Sequence, residues 1–184
     1  MDWRAKLQLK RGNASSTPTQ NDVVYVFPYT IKLSSGTKTT YDSKEYTHGN
    51  YKVNVFVRSE PTDILITARY TANTIIEADG ISDVLNFLKL VSRGDVNMYP
   101  GLPPPLLIFN YMGAMYKNVP VVIGQYSYDL ENDVNYVINS RGDYVPTLLT
   151  LNITLKPQYT PASVAAGFDL ESFNRGNLIT RGYL

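Results

Sequence analysis

The 184-residue chain contains no cysteine and one histidine, His48. The first absence excludes disulfides and thiolate metal sites, and makes a reducing cytoplasm the default place of assembly. The second leaves little for catalysis. His48 lies in Glu45-Tyr46-Thr47-His48-Gly49-Asn50, where Glu45 could orient it as a general base. Gly49 and Asn50 mark a turn, however, and a lone loop histidine is ordinarily just solvated. Any metal site would have to rest on carboxylates. Asp129, Glu131 and Asp133 have the alternate spacing of a calcium loop, but Val134 stands where such a loop needs glycine and Ser140 where it needs a bidentate glutamate. They read as an acidic turn at a strand end. With no phosphate-binding loop and no dinucleotide fingerprint, the sequence implies no catalytic residue, metal or cofactor.

Charge is scarce too. Charged residues make up 18% of the chain, 17 basic against 16 acidic, for a net charge of +1. No basic run exceeds Lys10-Arg11, so the electrostatic footprint of specific nucleic-acid binding is missing. No apolar run approaches the ~18 residues of a membrane span, and Met1-Asp2-Trp3-Arg4-Ala5-Lys6 holds no apolar signal segment. Membrane insertion is therefore not expected. Asn13-Ala14-Ser15 and Asn152-Ile153-Thr154 read as chance glycosylation triplets, and Arg141-Gly142-Asp143 as a tight turn rather than an adhesion motif.

What is present is apolar and aromatic. At 43% apolar the chain is too hydrophobic for disorder. Combined with so little charge, that composition fits a subunit that buries much of its exterior. A small soluble domain with Ser, Thr, Asn and Tyr on its polar face is the alternative. Fifteen tyrosines suit interfaces, a stacking surface for sugars or bases, or simply the core, and their spacing does not choose among the three.

Along the chain, residues 11–22 read as a polar arm or loop. The run from Asp22 to Leu33 is interrupted by Pro28 and reads as an edge strand or two short strands with a bend. Residues 34–50 read as a long loop or exposed hairpin. Tyr51–Arg58 and Ile64–Thr71 alternate, with Glu60-Pro61-Thr62-Asp63 as a turn that would join them in a hairpin. A helix is predicted over 74–93: Thr74 and Glu77 form a capping box, and Ile81, Val84, Leu85, Leu88 and Val91 recur at helical spacing. Lys89 and Arg93 sit at its negative end, with Gly94 as stop; Gly80 inside it points to close packing on another backbone. After the rigid Tyr99–Pro105 segment come a short strand at Leu106–Phe109, a turn, and a longer strand at Val119–Leu130. There Val119, Val121, Ile123, Gln125 and Ser127 share a face. The cleanest strand is Thr147–Lys156: Leu149, Leu151, Ile153 and Leu155 form one face, Thr150, Asn152, Thr154 and Lys156 the other. Past Pro157 the period is lost, and Phe168, Leu170 and Phe173 read as an arm or short helix that docks elsewhere. The sum is a single mainly β domain of the α+β class, a β-sandwich or barrel with one flanking helix. It divides into an N-terminal arm (1–21), a β core (22–157) and a C-terminal arm (158–184).

Several short segments carry a resemblance. They are Leu65-Ile66-Thr67-Ala68-Arg69-Tyr70-Thr71-Ala72-Asn73-Thr74, the helix through Phe87-Leu88, and Pro100-Gly101-Leu102-Pro103-Pro104-Pro105-Leu106-Leu107. Asn118–Ile123, Tyr126–Leu130, Asp133–Tyr136, Tyr144–Thr147 and Leu155–Thr160 follow. In order and spacing, over residues 62–162, these resemble phage tail and baseplate proteins of the tail-tube fold. The resemblance implies hexameric rings whose strands join into a continuous inner barrel. Such rings sit at the baseplate end of a contractile tail, connect the spike hub to the first tube ring and help nucleate the tube. It implies as partners other copies of the chain and neighbouring tube, hub or wedge proteins, with DNA able to pass through the lumen. The location implied is the virion tail, built in the host cytoplasm. Residues 1–60 match no part of the pattern, so a main tube subunit, a terminal ring and an adaptor all fit it. The expected interface or lumen-facing residues are Thr150, Asn152, Thr154, Lys156, Gln125, Ser127, Phe168 and Phe173. The alternative function is a tyrosine-rich binding module for a host-surface glycan or protein. A carboxylate-based glycosidase is a third reading, without an acidic pair in a convincing cleft context.

Overall fold

A computed structural model of the chain describes residues 3–9, 23–28, 31–45, 51–93, 103–113, 115–131, 133–178 and 181–184. The expectations for the 11–22 arm, His48, Gly94 and Tyr99–Leu102 lie outside these residues.

The strand β11 (Leu148–Pro157) is bonded along both edges. It pairs antiparallel with β6 (Ile64–Thr71) on one side and β8 (Tyr116–Leu130) on the other. Beyond β8 lie β7 (Leu107–Tyr111), β1 (Lys6–Leu9) and β2 (Val23–Val26), and beyond β6 lies β3 (Ile31–Ser34), which completes a seven-stranded sheet in the order β2-β1-β7-β8-β11-β6-β3. The two-residue period of β11 decides which face is dry. Leu149, Leu151, Ile153 and Leu155 are buried, and Leu7, Leu9, Ile64, Ile66, Leu107, Phe109 and Val121 join them from the neighbouring strands. Each such side chain contributes ~1.5–3 kcal/mol on burial, so these strands set the fold.

The helix α1 (Ile75–Ser92) covers this apolar face with Ala78, Ile81, Val84, Phe87, Leu88 and Val91. Its capping box forms as predicted. Thr74 Oγ1 accepts from the Glu77 amide at 3.3 Å, and the Glu77 carboxylate accepts from the amides of Thr74 and Asn73 at 3.1 and 2.7 Å. Those bonds, the one from Asn73 foremost, hold the Glu77 carboxyl below its usual range. Gly80 differs from expectation: nothing stands within 4 Å of the position its Cβ would take, so close packing is not its reason.

Helix and curled sheet together form the mainly β, α+β architecture expected from the sequence. The curl is closed by tyrosines. Tyr25 on β2 and Tyr70 on β6 have four strands between them in the sheet order, yet their hydroxyls share a hydrogen bond and Tyr25 stacks on Phe87 at 5.6 Å. A second link joins Ser35, after β3, to Tyr116 at the start of β8.

Three expectations are corrected. First, Lys6–Leu9 is not arm but an internal strand, paired with β2 and β7, because Leu7 and Leu9 belong to the core face. Second, the two alternating segments do not pair with each other. The strand β5 (Val53–Pro61) pairs with β4 (Thr37–Lys44), while β6 pairs with β3 and β11. Gly36 and Thr62 hold the junction: the Thr62 amide donates to Gly36 O at 2.8 Å, and the Gly36 amide to Thr62 Oγ1 at 2.9 Å. The residues around Pro61 bend one strand into the next instead of reversing it, so β3–β4 and β5–β6 are the two arms of one long ribbon. Third, the alternation of β8 breaks. Thr154 pairs with Gln125 and Leu155 with Ile123, which leaves Gly124 as a bulge. Val119, Val121 and Ile123 point inward, whereas Gln125 and Ser127 point outward with Thr154 and Asn152. The Asp22–Leu33 run divides at Pro28 as expected, into β2 and β3 at opposite edges of the sheet.

The last segment folds back on the domain. It holds α2 (Pro161–Gly167) and α3 (Leu170–Asn174), and Leu178 is buried. Tyr183 stacks on Tyr159 at 5.6 Å, and Tyr159 Oη donates to Gly182 O at 2.8 Å. Gly182 has φ +84° and lies against the Asn118 carbonyl, where a Cβ would clash.

Burial raises the Tyr25 hydroxyl far above its ordinary value, helped by the neighbouring Tyr70, and pushes Tyr70 up to about 12. Unfolded, both would ionise near pH ~10. The unfolded chain therefore loses protons first as pH rises. The stability linked to the pair is fully present below pH ~10 and falls as pH rises above it, through about 12 for Tyr70 and beyond that for Tyr25. Replacing both by Phe should flatten the fall in denaturation midpoint over that window, as read by chemical denaturation at stepped alkaline pH. An unchanged slope would show that the pair is not linked to folding.

Candidate assembly surface

The polar face of β11 was the sequence's main candidate, and the structure gathers six of the eight named residues on it. Thr150, Asn152 and Thr154 stand in register with Asp129, Ser127 and Gln125 on β8, and with Arg69, Thr67 and Leu65 on β6. Asn152 links three strands: Thr67 Oγ1 donates to its Oδ1 at 2.9 Å, and its Nδ2 donates to Asp129 Oδ2 at 3.1 Å. Lys156 lies along the bulge, so close that a Cβ on Gly124 would come within 2.8 Å of its Cε. Gln125, Ser127 and Lys156 are exposed; Thr150, Asn152 and Thr154 are partly so. The face is a hydrogen-bonded polar wall. Asp129 is engaged by Asn152 and Glu131 lies 3.7 Å from Arg69. Among the described residues no group of three or more His, Asp or Glu could hold a metal, and no helix is long and apolar enough to cross a membrane.

Phe168 and Phe173 lie elsewhere. Their rings are 5.5 Å apart, and Phe168 meets the edge of Tyr183 at 5.6 Å. They help fold the final segment onto its own aromatic cluster, although Phe168 keeps 40% of its surface.

Two surfaces escaped the sequence reading. One is the β4–β5 ribbon, where every residue from 51 to 59 is exposed. Val53, Val55, Phe56 and Val57 are 41–57% exposed, and Tyr41 packs edge-on against Phe56 at 6.1 Å. The bulge at Val57, which no residue of β4 opposes, breaks the alternation and leaves apolar side chains on both faces. Apolar residues in both alternating sets of Tyr51–Arg58 were the available signal. A strand packed on one face only would not need them.

The other is a groove of about 190 Å³ between α1 and the hairpin of β9 (Tyr136–Ile138) and β10 (Tyr144–Pro146). Its floor is Ile81, Leu85 and Leu149, and exposed Tyr128, Leu130 and Tyr144 stand at its rim. The Arg141-Gly142-Asp143 turn joins the two strands of this hairpin, as expected. Asn139, buried, holds it: its Oδ1 accepts from the amides of Arg141 and Asp143 at 2.9 and 2.8 Å, and its Nδ2 donates to Ser82 Oγ at 3.2 Å. Asp79 accepts from Ser140, and Asp83 pairs with Arg141 at 2.9 Å. The arginine of the tripeptide thus ties the turn to α1, while its aspartate accepts from Asn139 Nδ2 at 3.3 Å within the turn.

The two kinds of contact should differ in weight. Asn139→Ala takes the acceptor from the part-buried amide bonds of Arg141 and Asp143 and should cost ~1–3 kcal/mol in a denaturant titration. Arg141→Ala removes an exposed ion pair and should cost under ~1 kcal/mol. Equal losses would mean that the exposed pair, not the buried amide, fixes the wall of the groove.

No protein-family model matches the chain, and no curated protein matches it. Among solved structures, a chain in the six-fold symmetrised cryo-EM structure of the anti-feeding prophage baseplate aligns with it at a TM-score of 0.38 and 12% identity, over 86% of this chain and 91% of that one. A likeness at that level decides neither family nor function.

Proposed function

We propose that the protein is a non-enzymatic structural subunit of a phage-type contractile tail, forming a ring in the baseplate or tube and joining the central hub to the tail tube. The observation that carries this reading is the β4–β5 ribbon. Its exposed valines, Phe56 and Tyr41 contribute to no core of their own chain. A contiguous apolar surface of this kind marks a contact with another protein. The sheet itself supports the same reading, since β2 and β3 are its two end strands among the described residues. Joining such edges between copies, with ring closure, leaves none exposed. The polar wall of β11 and β8 then lines the lumen or a subunit boundary. The sequence resemblance over residues 62–162 supplies the setting, with baseplate and tube proteins as neighbours and the virion tail as location.

The tyrosines favour assembly over glycan binding, because many are spent internally. Tyr25, Tyr70, Tyr111, Tyr116, Tyr159 and Tyr183 pair with other residues of the same chain through ring contacts or hydroxyl bonds.

Mass measurement in solution combined with electron micrographs tests the proposal. The expected result is closed rings or short tubes, formed alone or on addition of the neighbouring hub and tube proteins. A chain that stays monomeric and captures none of those tail proteins would overturn it.

A further inference from the structure

The ribbon and the groove lie at opposite ends of one strand. The β4–β5 ribbon leaves the sheet at the Ile64 end of β6, where Ser34 pairs with Leu65. The groove lies at the Thr71 end, where Thr71 pairs with Leu148 and Leu149 forms part of the floor. Eight residues of β6 separate the two by ~25 Å at strand spacing, and the ribbon carries Phe56 beyond its end of the sheet. A chain therefore cannot place its own ribbon in its own groove. A second copy, set head to tail, can.

We infer that the face of the ribbon that carries Phe56 and Tyr41 docks into the groove between α1 and the β9–β10 hairpin of the next copy. This rests on the reading of the protein as a self-assembling ring subunit and names the contact that joins its copies. Three observations commit the groove to that occupant. At about 190 Å³ it is smaller than the ~300 Å³ at which small-molecule pockets begin, and of a size for one or two side chains. Its lining is apolar with an aromatic rim, matching an aromatic knob that is 57–58% exposed. Charge is complementary as well. Residues 37–61 carry Lys38, Lys44, Lys52 and Arg58 against three carboxylates, whereas Asp143 in the lining and Asp79 and Asp83 on the adjoining turns of α1 outnumber Arg141 of the hairpin turn. The contact joins two different patches, so it is heterologous. Repetition then closes a ring or builds a stack, and needs no two-fold axis.

The absence of cysteine makes the test clean. The double variant Phe56→Cys/Tyr144→Cys should, under mild oxidation, give a ladder of successive multimers. The two single variants mixed in equal amounts should stop at a disulfide-linked dimer containing one of each. Phe56→Ser should weaken self-association by about tenfold or more, as loss of a buried aromatic anchor does, while leaving the thermal midpoint of the dissociated chain unchanged. Rings or tubes that form normally without these crosslinks would overturn the inference and leave the ring reading standing. So would crosslinking by Phe56→Cys alone, which would indicate ribbon-to-ribbon pairing. Failure of the unaltered chain to associate, with or without hub and tube proteins, would remove both.

Discussion

The two-sided bonding of β11 is the constraint on which the remainder rests. A strand paired along both edges has no freedom of register without exposing Leu149, Leu151, Ile153 and Leu155 together, because a one-residue slip turns every side chain over. That fixes β6 and β8, and through them the dry face on which α1 lies. It also fixes the opposite face as polar, where Thr67, Asn152 and Asp129 are joined across three strands. Core and wall are thus two consequences of a single periodicity.

The same constraint explains why β8 carries a bulge. A strand of fifteen residues crosses from the part of the sheet beside β7 to the part beside β11. At Gly124 it gains a residue, which switches the inward set from Val121 and Ile123 to Tyr126 and Tyr128. Glycine suits the position because the Lys156 side chain already occupies the space a Cβ would take. Nothing in the period of Val119–Leu130 shows this. The bulge is defined by its partner strand and becomes visible only once β11 is beside it.

What was legible in the sequence follows the same division between local and non-local causes. The capping box at Thr74, the apolar stripe of α1, the turn at Arg141-Gly142-Asp143 and the alternation of β11 are each written within one short window, and each formed. Pro28 dividing two strands was equally local. The pairing of β5 with β4 was not, because Pro61 and the residues beside it suit a reversal as well as a bend. Only the bonds between Gly36 and Thr62 decide for the bend. The internal position of β1 depends on β2 and β7 and was hidden for the same reason. For the candidate surface, the polar residues of β11 could be read from alternation, whereas the groove is assembled from α1, β8, β10 and β11 and has no signature in any one of them.

Apolar surface is also divided between the core and the ribbon. The core beneath α1 is closed by contacts internal to one copy, including the Tyr25–Tyr70 bond and the docked Tyr183. Among its described residues the ribbon adds none to that core, so its valines and Phe56 are not held by packing within the fold. Arg58 with Glu60 and Lys52 with Glu45 place charge along the same ribbon. Charged side chains on an exposed strand discourage indiscriminate edge pairing. A partner surface must therefore accommodate both the exposed apolar side chains and those charges. Core side chains and exposed apolar side chains thus lie on separate parts of the same long ribbon, with the bend at Gly36 and Thr62 as the boundary between them.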